Sequence, residues 1–281
     1  MKKIIIPLFL LLFALVIALY AVNYEQEPPV TGEISVHFID VGQGDAILID
    51  NGATEILIDG GDRSSGIADY LDKHVDGNLE IVIATHAHAD HIGGLISVLE
   101  RFTVEQIWYD GYQYTSKTFT DFIAASEAEN AEIYIAKRGN TISIDDLSLH
   151  ILHPDSTSSD LNNNSIVLSF RYGTVDFLFT GDAEHKSEES MLLSPIISVP
   201  DIEILKVGHH GSSTSSSAEF LSVLTPEVAI YMCKTGNSYG HPHTEAIEAL
   251  SDIGAEIYGT DTCGTIIITT NGETYQVQTE K

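Results

Sequence analysis

Basic side chains are scarce in this chain of 281 residues, which has 13 lysines and arginines against 41 aspartates and glutamates. The formal net charge is −28 at pH 7. Because Lys2 and Lys3 lie in the N-terminal segment, the part after residue 22 carries 11 basic and 41 acidic residues, a charge of −30. Such a field repels polyanions and argues against loose, charge-driven binding of nucleic acid. We therefore expect no stable nucleic-acid partner, although a metal-centred site can still bind one phosphodiester.

Cysteine is equally rare, since only Cys233 and Cys263 are present. Neither has the spacing of a cysteine-rich metal site or a disulfide framework. Outside the cytoplasm the two could pair as a disulfide, and two free buried thiols are the equal alternative. Repeats of solenoid length are absent as well, as is an internal linker, which predicts one compact domain.

The longest stretch without charge is Ile4–Val22, preceded by Lys2 and Lys3. Nineteen such residues can span a bilayer, and a basic start also fits a secretory signal. Cleavage after Ala21 would put Leu19 where a small residue is preferred, so residues 1–22 are predicted as a membrane anchor, with a signal sequence as the alternative. Residues 23–32 are predicted to form a linker and residues 33–281 the folded domain. The two lysines favour a cytoplasmic N-terminus, which places this domain on the extracellular face of the cell membrane or outside the cell.

Three histidines and an aspartate lie within six residues, directly after an apolar run that predicts a buried strand. At strand-like spacing His86 and His88 point the same way. Asp90 and His91 come one turn later and can aim at a different point. One short loop could therefore supply two adjacent ions. Imidazole and carboxylate are ligands that suit zinc, and manganese as well.

Other polar clusters share the position of this loop, because each follows the end of a predicted strand. Alone, each has a structural explanation as a turn, a helix N-cap or a packed loop. Their common placement instead favours one site at the carboxyl ends of the strands. The clusters are Asp59, the loop from His86 to His91, Asp182, His209 with His210, and His241 with His243. The mixed alternation of strands and helices predicts two sheets flanked by helices.

These motifs resemble those of the metallo-β-lactamase fold superfamily. Within it, the wider set is similar to the hydrolase domain of the DNA-uptake channel protein ComEC and its free-standing relatives. The resemblance covers residues from about 33 to the C-terminus and does not extend to the membrane channel of ComEC. The segments that carry it are 37–45, 59–61, 86–91, 162–165, 180–182, 205–212 and 239–243.

The resemblance implies an α/β (α+β) fold, a four-layer αββα sandwich, with two divalent ions, zinc or manganese. His86 and His88 would hold the first ion. Asp90, His91 and His209 would hold the second, and Asp182 would bridge both. The residues expected to brace these ligands or to bind substrate are Asp59, His210, Ser212 and Asn163.

The chain departs from the superfamily pattern at one expected ligand of the first ion. Many superfamily members have a further histidine ligand just before the strand that here begins at Ser165. This chain has Asn162, Asn163 and Asn164 there, as ComEC-like proteins tend to. His153 is the alternative ligand, although it ends a different strand.

The predicted activity is metal-dependent phosphodiester hydrolysis, on extracellular nucleic acid or on a phosphodiester of the envelope. Two ions roughly 3.5–4 Å apart make a bridging hydroxide from water at neutral pH and polarise the oxygen under attack. Asp90, His243 and His241 are the candidate catalytic residues, the last two for protonating the leaving oxygen. Hydrolysis of a lactam or lactone carbonyl is one alternative. A non-catalytic metal-binding module is the other.

Overall fold

The computed structural model describes residues 32–75, 77–194 and 201–281. The predicted anchor, and the linker apart from its last residue, lie outside the described residues. Among the residues that the structure describes, no helix has the length and apolar character needed to cross a membrane.

The first sheet has eight strands in the order β15-β14-β1-β2-β3-β4-β5-β6, where the labels follow chain order. Their bounds are β1 Ile34–Phe38, β2 Ile47–Asp50, β3 Glu55–Ile58, β4 Asn78–Ala84, β5 Thr103–Tyr109, β6 Glu132–Ile135, β14 Ile266–Thr270 and β15 Tyr275–Thr279. The four strands from β3 to β6 run parallel, and the remaining pairings are antiparallel.

The second sheet has seven strands in the order β13-β12-β11-β10-β9-β8-β7. Their bounds are β7 Thr141–Ile144, β8 Leu147–His153, β9 Val167–Tyr172, β10 Val175–Phe179, β11 Ile204–Lys206, β12 Val228–Tyr231 and β13 Glu256–Gly259. The strands from β10 to β13 run parallel. Each sheet thus combines antiparallel hairpins with a parallel run whose strands are joined through helices.

Eight helices follow or connect these strands in the described residues, and most of them belong to the parallel runs. Their bounds are α1 Ile67–Leu71, α2 Ala89–Ile92, α3 Leu95–Leu99, α4 Lys117–Ala128, α5 His185–Leu192, α6 Ala218–Leu224, α7 Thr244–Asp252 and α8 Thr260–Cys263. Because parallel strands joined by helices end at the same edge, the loops that follow β3, β4, β10, β11 and β12 are brought together.

The core has three apolar layers. Leu57 and Val82 of the first sheet pack against α1, α3 and α4. Leu205 of the second sheet packs against α5, α6 and α7. Between the sheets, the rings of Phe38 and Phe179 lie 6.2 Å apart and are fully buried. Burial of one such side chain stabilises the fold by about 1.5–3 kcal/mol. The predicted αββα sandwich is confirmed.

The segment from Ile92 to Phe102 forms the end of α2 and the short α3. The backbone of Gly93 and Gly94 between these helices packs against the turn at residues 60–63. Cys233 and Cys263 are free thiols in the structure; Cys233 is buried, whereas Cys263 is partly exposed.

Candidate metal centre

The carboxylate of Asp182, in the loop after β10, is the point at which the predicted ligands converge. Its Oδ2 lies 3.3 Å from Nε2 of His91, 3.4 Å from Nε2 of His210 and 3.7 Å from Nε2 of His86. All four side chains are buried. One carboxylate oxygen thus faces imidazoles from both sheets, as a bridging ligand would.

Asp59 holds His91 in the orientation that a metal ligand needs. Its Oδ2 lies 2.7 Å from Nδ1 of His91 and 2.6 Å from the Thr85 hydroxyl, which donates to it. Its Oδ1 accepts the backbone N–H of Thr85 at 2.8 Å. An imidazole that donates through Nδ1 leaves the lone pair of Nε2 free for a cation. Asp59 therefore occupies the bracing position that the resemblance implied.

The turn at Asp59 and the histidine loop contact each other through backbone atoms. Gly60 donates its N–H to the His91 carbonyl at 2.8 Å, and Gly94 donates to the Gly61 carbonyl at 2.9 Å. A Cβ atom at residue 94 would lie 2.0 Å from the Gly60 carbonyl oxygen. Only glycine permits this approach, which fixes Asp59 against His91.

We expect Gly94→Ala to lower the free energy of unfolding by at least 2–3 kcal/mol, about the upper end of overpacking costs, because the clash is with backbone. Urea unfolding measures the change. Gly139→Ala is the control, because Gly139 has a φ of +86° but nothing within 4 Å of an added Cβ. Gly139→Ala should lower the free energy of unfolding by only ~1 kcal/mol, which comes from backbone strain alone. Equal stability of Gly94→Ala and wild type would contradict the proposed close approach.

His86 and His88 form a second donor group with Asp182. Nε2 of His86 lies 2.9 Å from Nδ1 of His88, and Nδ1 of His86 lies 3.2 Å from the Thr85 hydroxyl. These two imidazoles therefore present neighbouring nitrogen atoms to one point beside Asp182, as their spacing predicted. The first donor group contains Asp45, His91, Asp182 and His210. Asp182 belongs to both groups.

The structure places His210, rather than His209, in the buried cluster. His210 is 2 % exposed and its Nε2 lies 3.4 Å from both Asp90 and Asp182. His209 is partly exposed, lies 3.9 Å from Asp182 and is directed to Glu184, whose Oε1 is 3.3 Å from its Nδ1. Both histidines have left-handed backbone, with φ of 48° and 56°, and this turn sends the second ring inward. His210 therefore belongs to the first donor group, whereas His209, the residue predicted as a ligand, belongs to neither group.

We expect His210→Ala to weaken metal affinity by about 100-fold, because one ligand contributes a few kcal/mol of a structural site's binding energy. His209→Ala is the matched control, since it removes the same imidazole one residue earlier. Its effect on metal affinity should stay within about fivefold. Competition with a chromogenic chelator measures both. The reverse order of effects would restore His209 as the ligand.

Asp90 lies at the rim of the cluster, where its side chain is 29 % exposed and its Oδ2 is 3.4 Å from Nε2 of His210. Burial raises the pKa of Asp90, but the neighbouring imidazoles of His210 and His91 outweigh it and lower the pKa below its usual range. Asp90 is therefore ionised at neutral pH. It is placed to bind a cation and to face substrate at once.

Paired charges dominate the ionisation of the buried cluster. Burial lowers the pKa of His91, but the carboxylates of Asp182 and Asp59 raise it well above its ordinary value of 6.5. Burial likewise lowers the pKa of His210, and Asp182 with Asp45 raises it well above that value. In turn, burial raises the pKa of Asp182, but His210 and His91 hold it well below its ordinary range. Positive charge stabilises the buried carboxylates, and the protonated histidines supply it when no cation is bound.

The asparagines that replace the expected histidine stabilise the surrounding loops. Asn163 accepts from the Ser187 hydroxyl at 2.8 Å, and its amide donates to Asp160 at 2.9 Å. Asn164 holds both backbone groups of Ser158. Only Asn162, whose amide lies 3.5 Å from the His209 ring, has a buried carbonyl oxygen without a partner.

His153 and Glu184 complete this side of the site. His153 does not join either donor group, because its Nδ1 lies 3.0 Å from the Ser165 carbonyl. Glu184 accepts from Thr214 at 2.9 Å, and the hydrogen bond from His209 lowers its pKa to about 2. Glu184 was not predicted as a site residue. The signal available in the sequence was its position two residues after Asp182.

The donor groups open on a cleft of about 360 Å³, which carries one of the two candidate acids. Its lining residues are Gln43, His88, Ala89, Asp90, Asp182, His209, His210, Tyr239 and His241. His241 has an unpartnered Nδ1, and burial with the neighbouring imidazoles lowers its pKa to about 4. His243 does not line the cleft: Nδ1 accepts from the Ser213 backbone at 2.9 Å and Nε2 lies 3.2 Å from the Tyr239 carbonyl. Of the two histidines predicted to protonate the leaving oxygen, His241 is the one that lines the cleft.

Ser212, which was expected to bind substrate, does not line the cleft, whereas Gln43 does. Ser212 is buried and hydrogen-bonded to Thr214 at 3.0 Å, so it shapes the loop rather than reaching a substrate. Gln43 was not singled out from the sequence, yet it lines the cleft and its amide nitrogen has no hydrogen-bond partner. An unpartnered donor in the wall suits an oxygen of the substrate.

The residues present fit a divalent cation. Nε2 of His91, Nε2 of His210 and Oδ1 of Asp182 are buried and have no hydrogen-bond partner. Buried polar atoms of native proteins are rarely left unpaired, and here they all face one point. Imidazole and carboxylate together suit zinc, manganese or iron. The cluster is thus built to bind metal.

A family model described as the metallo-beta-lactamase superfamily matches residues 39–235, which include all donors of both groups. The chain belongs to the metallo-beta-lactamase superfamily. Its fold is shared by the metallo-beta-lactamase fold protein YhfI from Bacillus subtilis, with a TM-score of 0.57, 13% identity and coverage of 85% of this chain and 100% of that one. Tm1679, a metal-dependent hydrolase of the superfamily, has a TM-score of 0.55 at 15% identity, with 88% and 100% covered.

Relatives with similar sequences are competence and recombination proteins. ComE operon protein 3 of Bacillus subtilis is 30% identical, and the match covers 85% of this chain and 33% of the relative. Recombination protein 2 of Haemophilus influenzae is also 30% identical, with 82% and 28% covered. These matches confirm the resemblance to the ComEC hydrolase domain. The chain spans about a third of the length of these relatives.

Proposed function

We propose that the domain is a metal-dependent phosphodiesterase that uses two divalent cations. The observation that carries this proposal is the position of Asp182. Its carboxylate belongs to two buried donor groups, one with His86 and His88 and the other with His91 and His210. Two adjacent groups that share one carboxylate are the arrangement expected for a two-metal hydrolase.

Cations held in these groups would activate water and polarise the oxygen under attack. The chain's own residues perform the remaining tasks. Asp59 fixes the His91 ring, and Asp90 provides negative charge at the edge of the cleft. The amide of Gln43 lies in the cleft wall, where it can donate to a non-bridging oxygen of the substrate.

His241 is the residue we assign to the leaving oxygen. Its ring lies 5.4 Å from that of His209 and 6.0 Å from that of His210, so it flanks the donor groups without joining them. The Tyr239 ring stacks on the His241 ring at a centroid distance of 5.7 Å. A hydrogen bond from His241 to the departing oxygen would stabilise the charge that develops there.

A phosphodiester substrate is favoured over a carbonyl substrate by the similarity to competence and recombination proteins. The charge of −28 favours short contacts at a metal over extended electrostatic binding of a polymer. Nucleic acid outside the cell and an envelope phosphodiester both fit this description. Hydrolysis of a lactam or lactone is the second candidate function, which the superfamily match alone supports.

The test is an assay of metal-loaded protein on three substrates: bis-p-nitrophenyl phosphate, a chromogenic cephalosporin and single-stranded DNA. We expect hydrolysis of the phosphodiesters and none of the cephalosporin. His88→Ala should abolish the activity, because it removes a donor of the second group. Cephalosporin hydrolysis alone would select the second candidate function, and no hydrolysis of any substrate would favour a non-catalytic module.

We also propose that the domain acts on the outer side of the cell membrane, held there by residues 1–22. The support is the charge-free stretch Ile4–Val22 after two lysines. Protease treatment of intact cells should degrade the domain and leave cytoplasmic markers unchanged. Recovery of the full-length chain in the soluble cytoplasmic fraction would contradict this location.

A further inference from the structure

A buried ion pair links Asp45, a member of the first donor group, to Lys206, which has had no part in the chemistry described so far. Nζ of Lys206 lies 2.7 Å from Oδ2 of Asp45, and both side chains are at most 2 % exposed. The same ammonium group donates to the Val207 carbonyl at 2.8 Å. Replacing a buried ion pair by apolar residues is often neutral or stabilising, so stability alone does not account for this pair.

The ion pair joins the two halves of the sandwich. Asp45 comes from the connection between β1 and β2 in the first sheet, and Lys206 is the last residue of β11 in the second sheet. The donors are divided in the same way. His86, His88 and His91 follow a strand of the first sheet, and Asp182 and His210 follow strands of the second.

Asp45 also touches a ligand from behind. Its Oδ1 lies 3.2 Å from Nδ1 of His210, and the Met232 carbonyl lies 2.9 Å from the same nitrogen. The Met232 carbonyl accepts the proton of Nδ1, and the Asp45 carboxylate lies at ion-pair distance on the same side of the ring, which leaves the lone pair of Nε2 for a cation. Asp90 and Asp182 face Nε2, on the opposite side of the ring. Asp45 is thus an orienting group for His210 rather than a ligand.

The turn that carries Asp45 also fixes the neighbouring segments. The Asp45 N–H donates to the Asp90 carbonyl at 3.3 Å, and the Asp45 carbonyl accepts from Gly61 at 2.8 Å. A Cβ atom at Gly44 would lie 2.1 Å from the Asp90 carbonyl oxygen. The glycine therefore allows one short turn to contact the histidine loop, the Asp59 turn and His210 together.

We propose that Lys206 and Asp45 are positioning residues for the metal centre. Lys206 holds the Asp45 carboxylate at one place between the sheets. Asp45 then orients His210 so that its Nε2 meets Asp182 and the donors of the other half. This inference rests on the proposed metal centre and adds two residues, distant in sequence, on which the affinity of that centre depends.

The test is a titration of the folded protein with Co²⁺, followed by visible absorption, for wild type, Asp45→Asn, Lys206→Met and the double variant. We expect the affinity of the single variants to fall by about 10–100-fold, the range for groups that orient ligands. The absorption bands of the ion at His210 should shift. In the double variant no unpaired charge is buried, so thermal stability should return toward wild type while Co²⁺ affinity stays weakened.

The control removes an ion pair that lies in the second sheet, outside the metal centre. Arg171→Met with Asp176→Asn breaks a pair with contacts of 2.6 and 2.7 Å in the β9–β10 hairpin and should leave Co²⁺ affinity unchanged. Wild-type affinity and spectrum in the double variant would overturn the proposal and reduce the pair to a purely structural role. If the single variants fail to fold, the double variant decides. Protein that binds Co²⁺ normally but hydrolyses no phosphodiester would refute the proposed function and leave this test intact.

Discussion

Asp182→Asn will reduce kcat/KM for phosphodiester hydrolysis by at least about 10³-fold, which corresponds to roughly 4 kcal/mol of transition-state stabilisation. The substitution keeps the shape of the side chain and removes its charge. Oδ2 of Asp182 is the only described carboxylate oxygen within 4 Å of Nε2 atoms of His86, His91 and His210 together. Without its charge the two donor groups lose their common ligand. Steady-state kinetics on bis-p-nitrophenyl phosphate with metal in excess measures the loss.

Asp176→Asn is the matched control for this prediction. Asp176 lies in the same strand region, six residues earlier, but faces Arg171 at 2.6 Å and touches none of the donors. We expect its kcat/KM to stay within about twofold of wild type, because the pair with Arg171 lies outside both donor groups. Comparable losses in the two variants would show that Asp182 acts through general stability and not through the metal centre.

Removal of metal will abolish hydrolysis and lower the melting temperature, and the thermal effect will depend on pH. Saturating metal stabilises the native state by about 4 kcal/mol at 1,000 times its dissociation constant. In the metal-free protein, the raised pKa values of His91 and His210 mean that protonation stabilises the fold below pH 6.5. That contribution is lost as pH rises through the folded pKa values, above 6.5. The stabilisation by metal should therefore increase from pH 6 to pH 8.

Differential scanning fluorimetry of chelated and reloaded protein across this pH range measures the effect. Asp59→Asn serves as an internal check, because it removes one of the carboxylates that raise the pKa of His91 and should weaken the pH dependence. A metal-induced stabilisation that is largest at pH 6 would contradict the ionisation assigned to the cluster.

The general position of the site could be predicted because it follows from topology. Asp59, His86, Asp182 and His210 all follow parallel strands, and such strands end at a common edge. The apolar runs that form these strands are evident in the sequence. For this reason the sandwich and the gathering of the polar clusters followed from the sequence pattern and the resemblance.

The choice between His209 and His210 could not be made from the sequence. The two residues are chemically identical neighbours, and the choice depends on a positive φ at both. Left-handed backbone is signalled by glycine, and here non-glycine residues adopt it. Interactions over long sequence distances were missed for a related reason. Nothing near Asp45 or Lys206 in the sequence indicates that they form a pair.

Hydrogen-bond assignments of the candidate acids also needed coordinates. His241 and His243 are equivalent in the sequence, separated only by Pro242. In the structure, both nitrogens of His243 are engaged with Ser213 and Tyr239, whereas Nδ1 of His241 is unpartnered. The sequence gives the chemical type of a side chain. Tertiary contacts decide which imidazole nitrogen remains available to bind a substrate atom.

The metal content of the reconstituted protein tests the central claim most directly. The claim is that Asp182 joins two donor groups into one centre with two ions. Inductively coupled plasma mass spectrometry after loading with zinc or manganese and removal of free metal should give two ions per chain for wild type and fewer for Asp182→Asn. A wild-type chain that holds no metal, or a stoichiometry of two that Asp182→Asn leaves unchanged, would contradict it.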